Sequence, residues 1–352
     1  MCVGQVATSR RIKMGVNINI TTLQQEFFAG EVVEGTITLD VTTSDPEGSS
    51  ADELILGLVG EAKSRVMYTQ HQGQANTTRT AYQTKKFLEY DIQLAAFGGK
   101  AATGSHSFPF SVMLPPGLPA SMKEDGGGGS CSITYRLDAR LRRPGALHFD
   151  AKSKAGLTIF SRPQEANVTP VVVGPDTKTV KTCFCCKNGT MSIGFEVDKS
   201  VVGFNDPVGI TVVARNNSSI PVKELRIEIK QETRWRAHAH SERKKRTVAS
   251  TVVSGSQLGA RQQAAEKGAN RGRTPAVVAD AARVELQEIL ACGDGDRYTL
   301  VVPDTCIETL GIGMIEVKHM LSVELKTSTF TSSPDVWMPL RVQRVGGGAR
   351  PE

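Results

Sequence analysis

Aromatic side chains are scarce in this sequence: 12 Phe, 5 Tyr and 2 Trp make up 5% of 352 residues. Aliphatic residues must therefore fill the core. No run approaches the ~18 apolar residues that a membrane-spanning helix needs. The opening residues MCVGQVATSRRIK lack the apolar stretch of an export signal. Seven cysteines is an odd number, and three of them crowd at Cys183, Cys185 and Cys186. That is no disulfide framework, so a reduced, intracellular chain is expected. Catalytic signatures are missing as well: there is no phosphate-cradling GxxxxGK[ST], GxSxG, HExxH or GxGxxG. The run Gly126 to Gly129 sits between two strand-like segments with no helix start and no following Lys, which makes it a hairpin connection. We therefore expect a non-enzyme without a cofactor. The net charge of +6 is mild over this length and permits an acidic partner without requiring one.

What the sequence does contain is short alternation. Val16, Ile18 and Ile20 alternate with asparagines, and Val33, Ile37, Leu39 and Val41 share one parity. Phe108, Phe110, Val112 and Leu114 recur at period two, with Pro109 inside the run marking an edge strand or bulge. Ile133, Tyr135, Leu137, Ala139 and Leu141 alternate with Thr134, Arg136, Asp138 and Arg140, which puts one apolar face on a strand. The second half repeats the style in Met191 to Val197, Val208 to Val212, Leu225 to Ile229, Ile315 to Leu325 and Val336 to Val342. Sustained helical periodicity is absent from the first half. Many short alternating strands with Gly/Pro turns argue for antiparallel sandwiches.

This reading divides the chain into a flexible leader (1–13), a first β-sandwich (14–162), a linker (163–181), a second β-sandwich (182–345) and a short tail (346–352). Residues 69–84, rich in Gln, Thr and Asn, read as an exposed loop. Residues 255–276 have too little apolar content to order themselves and read as a flexible insertion. For 279–290, strand and short helix both stay open.

Certain residues carry a resemblance. The order Gly104-x-His106-x-Phe108-Pro109-Phe110-x-x-x-Leu114-Pro115-x-x-Leu118-Pro119-x-Ser121, a Gly-rich turn, then Ile133-x-Tyr135-x-Leu137-x-Ala139 resembles the N-terminal domain of the arrestin family, most of all the α-arrestins (arrestin-domain-containing proteins). Phe28-x-Gly30-Glu31-x-Val33-x-Gly35-x-Ile37 is similar to a signature near the start of that domain. Cys183, Cys186, Gly189, Asn216 and Ser218 follow the order of the second domain, with Asn205-Asp206-Pro207 in place of the family's Pro-Gly-Glu turn. The resemblance implies two immunoglobulin-like antiparallel β-sandwiches in tandem. It also implies a cytoplasmic adaptor or scaffold, peripheral to the plasma membrane or endosomes, that binds cytosolic tails of receptors and transporters and supports their endocytosis, sorting or ubiquitin-linked trafficking.

Two rivals stand beside that reading. One is a retromer-like coat subunit in endosomal protein transport, which a large exposed apolar patch would favour. The other is a small-molecule binder or enzyme that uses the interdomain cleft. Family members recruit ubiquitin ligases through Pro-Pro-x-Tyr motifs, whereas Pro115-Pro116 is followed here by Gly117-Leu118.

The strongest candidate site is a basic tract: Arg234, Arg236, His238 and His240, then Arg243, Lys244, Lys245 and Arg246. On one continuous strand the first four would share a face and form a cationic row for phosphates or anionic headgroups. Without interleaved aromatics it does not suit nucleic acid. Cys183, Cys185 and Cys186 are weak zinc candidates, because a closed site needs four ligands and no second pair lies at suitable spacing. Acylation is the other use such a cluster allows.

Overall fold

The structure, a computed structural model, describes residues 15–42, 48–72, 75–144, 150–164, 169–182, 186–258, 295–327 and 333–344. Contacts divide the chain into two units. The first is Met1–Arg162 with Arg234–Glu242 and Gly311–Ile315; the second is Pro163–Thr233 with Arg243–Leu310 and Glu316–Glu352. The leader, Cys183, Cys185, residues 259–294 and the tail lie outside the described residues.

The first unit holds β1 (Val16–Thr22), β2 (Glu26–Phe28), β3 (Val32–Val41), β4 (Ser49–Gln72), β5 (Ala75–Ala101), β6 (Gly104–Met113), β7 (Met122–Gly126), β8 (Gly129–Arg142) and β9 (Ala151–Phe160). One sheet runs β1-β3-β6, and the other runs β2-β9-β8-β4-β5 with β7 on β8. The alternation read from sequence sets the core. Val33, Ile37, Leu39, Val41, Val112, Ile133, Tyr135, Leu137, Ala139 and Leu141 are all buried. Burying each large aliphatic side chain contributes on the order of 2 kcal/mol. Tyr135 satisfies its buried hydroxyl by donating to the carbonyl of Pro119 at 2.6 Å. Pro109 does lie on an edge strand, β6.

The second unit contains β10 (Val171–Thr182), β11 (Cys186–Val197), β12 (Val201–Gly203), β13 (Pro207–Ser218), β14 (Glu224–Ala237), β15 (His240–Ser254), β16 (Asp296–Val301), β17 (Leu310–Ile312), β18 (Ile315–Lys326) and β19 (Asp335–Gln343), except that the parts of β14, β15, β17 and β18 within 234–242 and 311–315 count with the first unit. Its sheets run β10-β11-β13-β16 and β12-β19-β18-β14-β15, with β17 on β18. Apart from β10, each strand has a counterpart ten places earlier in the first unit, with the same neighbours. Even the turns correspond. Glu31 N donates to Phe28 O in one and Asp206 N to Gly203 O in the other. Each turn carries a residue at positive φ, Gly30 (93°) and Asn205 (61°). Asparagine, with its short polar side chain, tolerates what glycine does freely.

Two expectations need correction. Residues 69–84 are not a loop: β4 and β5 continue as a ribbon with Thr69 opposite Thr78 and Gln70 opposite Thr77. The segment 163–181 is not all linker, because β10 pairs along β11 from Val171 to Thr182, absorbing Gly174 and Pro175 at a register shift. The sheets are antiparallel as expected, with two short parallel pairs, β2–β9 and β12–β19, at their edges.

Candidate functional site

The basic tract does not form the row that its spacing suggests. β14 ends at Ala237, and His238 sits in the turn at φ 57°, so the chain reverses before His240 opens β15. Only Arg234 and Arg236 share an exposed strand face, and Arg236 donates to the carbonyl of Gly313 at 3.1 Å. His238 Nε2 lies 3.0 Å from the carbonyl of Tyr82, and the backbone N–H of His238 donates to Gln83 Oε1 at 2.7 Å. His240 stacks on Tyr68 with ring centroids 3.6 Å apart. Lys245 pairs with Glu232 at 3.0 Å on the outer face of β14–β15. Arg246 turns the other way and donates to Gln231 Oε1 at 2.8 Å. Arg236, His238, His240, Lys245 and Arg246 are thus held by the partners named, and Arg234, Arg243 and Lys244 have interactions of their own. Arg243 and Lys245 keep the most exposed cations of the return strand.

Arg246 also takes part in a buried polar layer that the sequence did not signal. Gln231, Thr233 and His319 are each 1% exposed or less. The hydroxyl of Thr309 accepts from Val342 N at 2.8 Å and lies 2.9 Å from His319 Nδ1. Which of Thr309 Oγ1 and His319 Nδ1 donates follows from the imidazole tautomer, and Nε2 has no partner among the described residues. Burial, reinforced by the nearby Arg246 guanidinium, pulls His319 down to about 4. The two cysteines of resolved environment, Cys131 and Cys306, are buried, and burial pushes the Cys131 thiol up to about 12, with Glu124 and Asp125 adding to the shift. Neither is poised as a thiolate nucleophile. The Cys183–Cys186 cluster falls mostly outside the described residues, and among the described residues no group of three or more His, Cys, Asp or Glu side chains could hold a metal ion.

In the first unit the outer face of β4 and β8 carries a charge cluster. Glu61 pairs with Lys63 at 2.8 Å and Arg136 at 3.2 Å, and Arg136 reaches Asp138 at 3.1 Å. The Lys63 ammonium holds the Glu61 carboxyl below its ordinary range against the opposing effect of burial, with Arg136 adding to the depression.

The strand edges differ in how open they are to a further strand. β2 and β12 are three residues long, and β6 contains Pro109. β5 carries an extra residue at each of three register shifts against β4, and β10 has two shifts against β11. β15 presents Arg243 and Lys245, and cations on an edge oppose strand docking. β1 is different: VNINITT has no proline and no charged residue, and its ladder with β3 is unbroken from Val16 to Thr22. Val16, Ile18 and Ile20 point into the core while Asn17 and Asn19 point out. Its counterpart β11 has the equivalent edge covered by β10.

Two tandem β-sandwiches built on one topology, the second closed by an extra strand, define a double-sandwich protein. Residues 16–164 match the family model described as arrestin (or S-antigen), N-terminal domain, and residues 187–345 match arrestin (or S-antigen), C-terminal domain. The chain belongs to the arrestin family. It is similar to arrestin domain-containing protein A of Dictyostelium discoideum, 24% identical over 218 residues that make up 58% of this chain and 36% of that protein. It is similar to arrestin domain-containing protein 17 of Caenorhabditis elegans, 25% identical over 229 residues, 61% of this chain and 50% of that one. Beta-arrestin-2 of Rattus norvegicus is 24% identical over 130 residues, 36% of this chain and 32% of its own. The chain therefore spans half or less of the length of these relatives.

Proposed function

We propose that the chain is a non-enzymatic adaptor that takes up extended cytosolic segments of membrane proteins on the edge of β1 and supports their endocytosis, sorting or ubiquitin-linked trafficking. The observation that carries this reading is the contrast between β1 and β11: two equivalent strands, one edge free among the described residues and the other occupied by β10. A strand accepted at β1 would gain main-chain hydrogen bonds along seven residues and place alternate side chains over the core, as β10 does on β11. In this reading the protein works in the cytoplasm at the plasma membrane or at endosomes. No helix among the described residues is long and apolar enough to cross a membrane. The exposed cations Arg243 and Lys245 add a weak contact with phosphates or anionic headgroups.

The test has two parts. Hydrogen exchange of the full chain with a panel of synthetic cytosolic-tail peptides should slow the amides of residues 16–22. Proximity labelling in cells should enrich receptors, transporters and ligases. Protection confined to other strands would remove the β1 site. Labelling that returns a fixed set of coat subunits would favour the retromer-like role, and labelling of soluble metabolic enzymes alone would end the trafficking reading.

A further inference from the structure

The three-stranded sheet β1-β3-β6 contains no lysine or arginine, in a chain that has 42 of them. On its outer face one end is apolar. Val32 lies directly opposite Met113. Leu23 extends the ladder one step past β1, its N–H donating to the carbonyl of Glu34 at 3.1 Å. Strand parity puts Leu23, Val32 and Met113 on the same side, and they are 80%, 38% and 69% exposed. Large apolar side chains exposed together in this way mark a docking surface more often than chance. Among the described residues of β1, β2, β3 and β6 the formal charges have one sign: Glu34 stands between Leu23 and Met113, Asp40 lies farther along the face, and Glu26 flanks the turn. Neither Glu26 nor Glu34 has an ion-pair partner among the described residues.

We infer that this face docks a cationic, amphipathic segment, and specifically the membrane-proximal cytosolic stretch of a transmembrane protein. The acidic rim repels an anionic bilayer and a second copy of itself, while it attracts Lys and Arg. Cytosolic segments next to a membrane span carry an excess of those residues beside apolar ones. The apolar triad begins where β1 ends, so a segment that lies on the triad continues onto the β1 edge. The choice of partner rests on the adaptor reading, whereas the surface itself does not. The expected selectivity is for basic tail segments, the opposite charge from that expected of a cationic row.

The experiment uses the full chain and two fluorescein-labelled 18-residue synthetic peptides with identical leucine and isoleucine positions. One carries Lys/Arg at the polar positions and the other carries Glu. Anisotropy should show the cationic peptide binding at least tenfold more tightly, with affinity falling as salt rises. The double variant Leu23→Ser/Met113→Ser and the variant Glu34→Lys should each weaken it at least fivefold. Both alter exposed side chains, and an unchanged melting temperature would confirm that each still folds. Equal binding by wild type and variants, or preference for the acidic peptide, would overturn the inference. So would sedimentation with phosphatidylcholine/phosphatidylserine vesicles that the double variant abolishes, since that would make the occupant lipid. Amide protection at 16–22 that survives in both variants would sink this inference and leave the adaptor reading standing; loss of peptide binding in the variants without protection at 16–22 would do the reverse.

Discussion

Trp235 donates its indole N–H to the main-chain carbonyl of Arg65, 170 residues away in sequence, at 3.1 Å. The ring is fully buried and passes close to Gly126, where a Cβ would stand 3.3 Å from Cη2. Replacing Trp235 with Ala should destabilise the first unit by about 3–5 kcal/mol, the usual cost of emptying a buried aromatic site. Trp235→Phe keeps much of the volume and loses one hydrogen bond, so a further loss near 1 kcal/mol beyond its packing cost is expected. Urea unfolding of the two variants checks the order.

His319 makes the second unit sensitive to acid. Its folded value, about 4, lies below the ordinary 6.5. Above pH 6.5 both the folded and unfolded forms are neutral and the stability it allows is fully present. Between 6.5 and 4 only the unfolded chain takes up the proton, so stability falls as pH falls. From pH 7.5 to 5.0 the loss should be about 2 kcal/mol. The charged group acting on His319 is Arg246 of β15, with Gln231 and Thr233 of β14 uncharged. His319→Gln should flatten that pH slope in thermal melts while lowering stability at neutral pH. An unchanged slope would show that other groups govern it.

Arg136 joins Glu61 and Asp138 in a half-buried cluster. Arg136→Met leaves two carboxylates facing one another with only Lys63 to offset them. A loss of about 1–3 kcal/mol is expected, less than for a fully buried pair because solvent screens part of it. Glu61 sits below its ordinary value of 4.5, so its contribution is present above that pH and fades as pH drops through the folded value. Chemical denaturation of wild type and variant at pH 7 and pH 3.5 should show the gap narrowing in acid.

Lys178 clasps β10 to the body of its unit through Asp335 at 2.7 Å and the carbonyl of Ser333 at 3.0 Å, and it pairs within β10 with Asp176 at 3.3 Å. Lys178→Met removes the cation that both carboxylates share. Global stability should change by no more than about 1 kcal/mol, since the groups are part exposed. Amides of 171–182 should nevertheless exchange faster, because two register shifts interrupt the ladder that holds the strand to β11. Exchange mass spectrometry at peptide resolution reads this directly.

The sandwich cores were legible because burial imposes parity: the apolar set Ile133 to Leu141 could only face one way. The ribbon at 69–84 was not, since both of its faces meet water and nothing selects apolar residues at alternate positions. β10 resembled a linker because Gly174 and Pro175 are the usual signs of one, yet a register shift absorbs them. The basic tract misled for a related reason. A reversal made by His238 at positive φ carries no glycine to announce it, and so counting by twos runs straight through the turn. The β1 edge is visible in sequence only as VNINITT, and its openness becomes apparent when its twin is found filled.

That filled twin bears on how the second unit is handled in isolation. The family match for this part begins at residue 187, past the end of β10. A fragment trimmed to the matched region would lose the strap and bare a regular edge with Ile193, Phe195 and Val197 beneath it. Such a fragment would recruit a neighbour's strand and multimerise, while one begun at residue 163 would stay monodisperse.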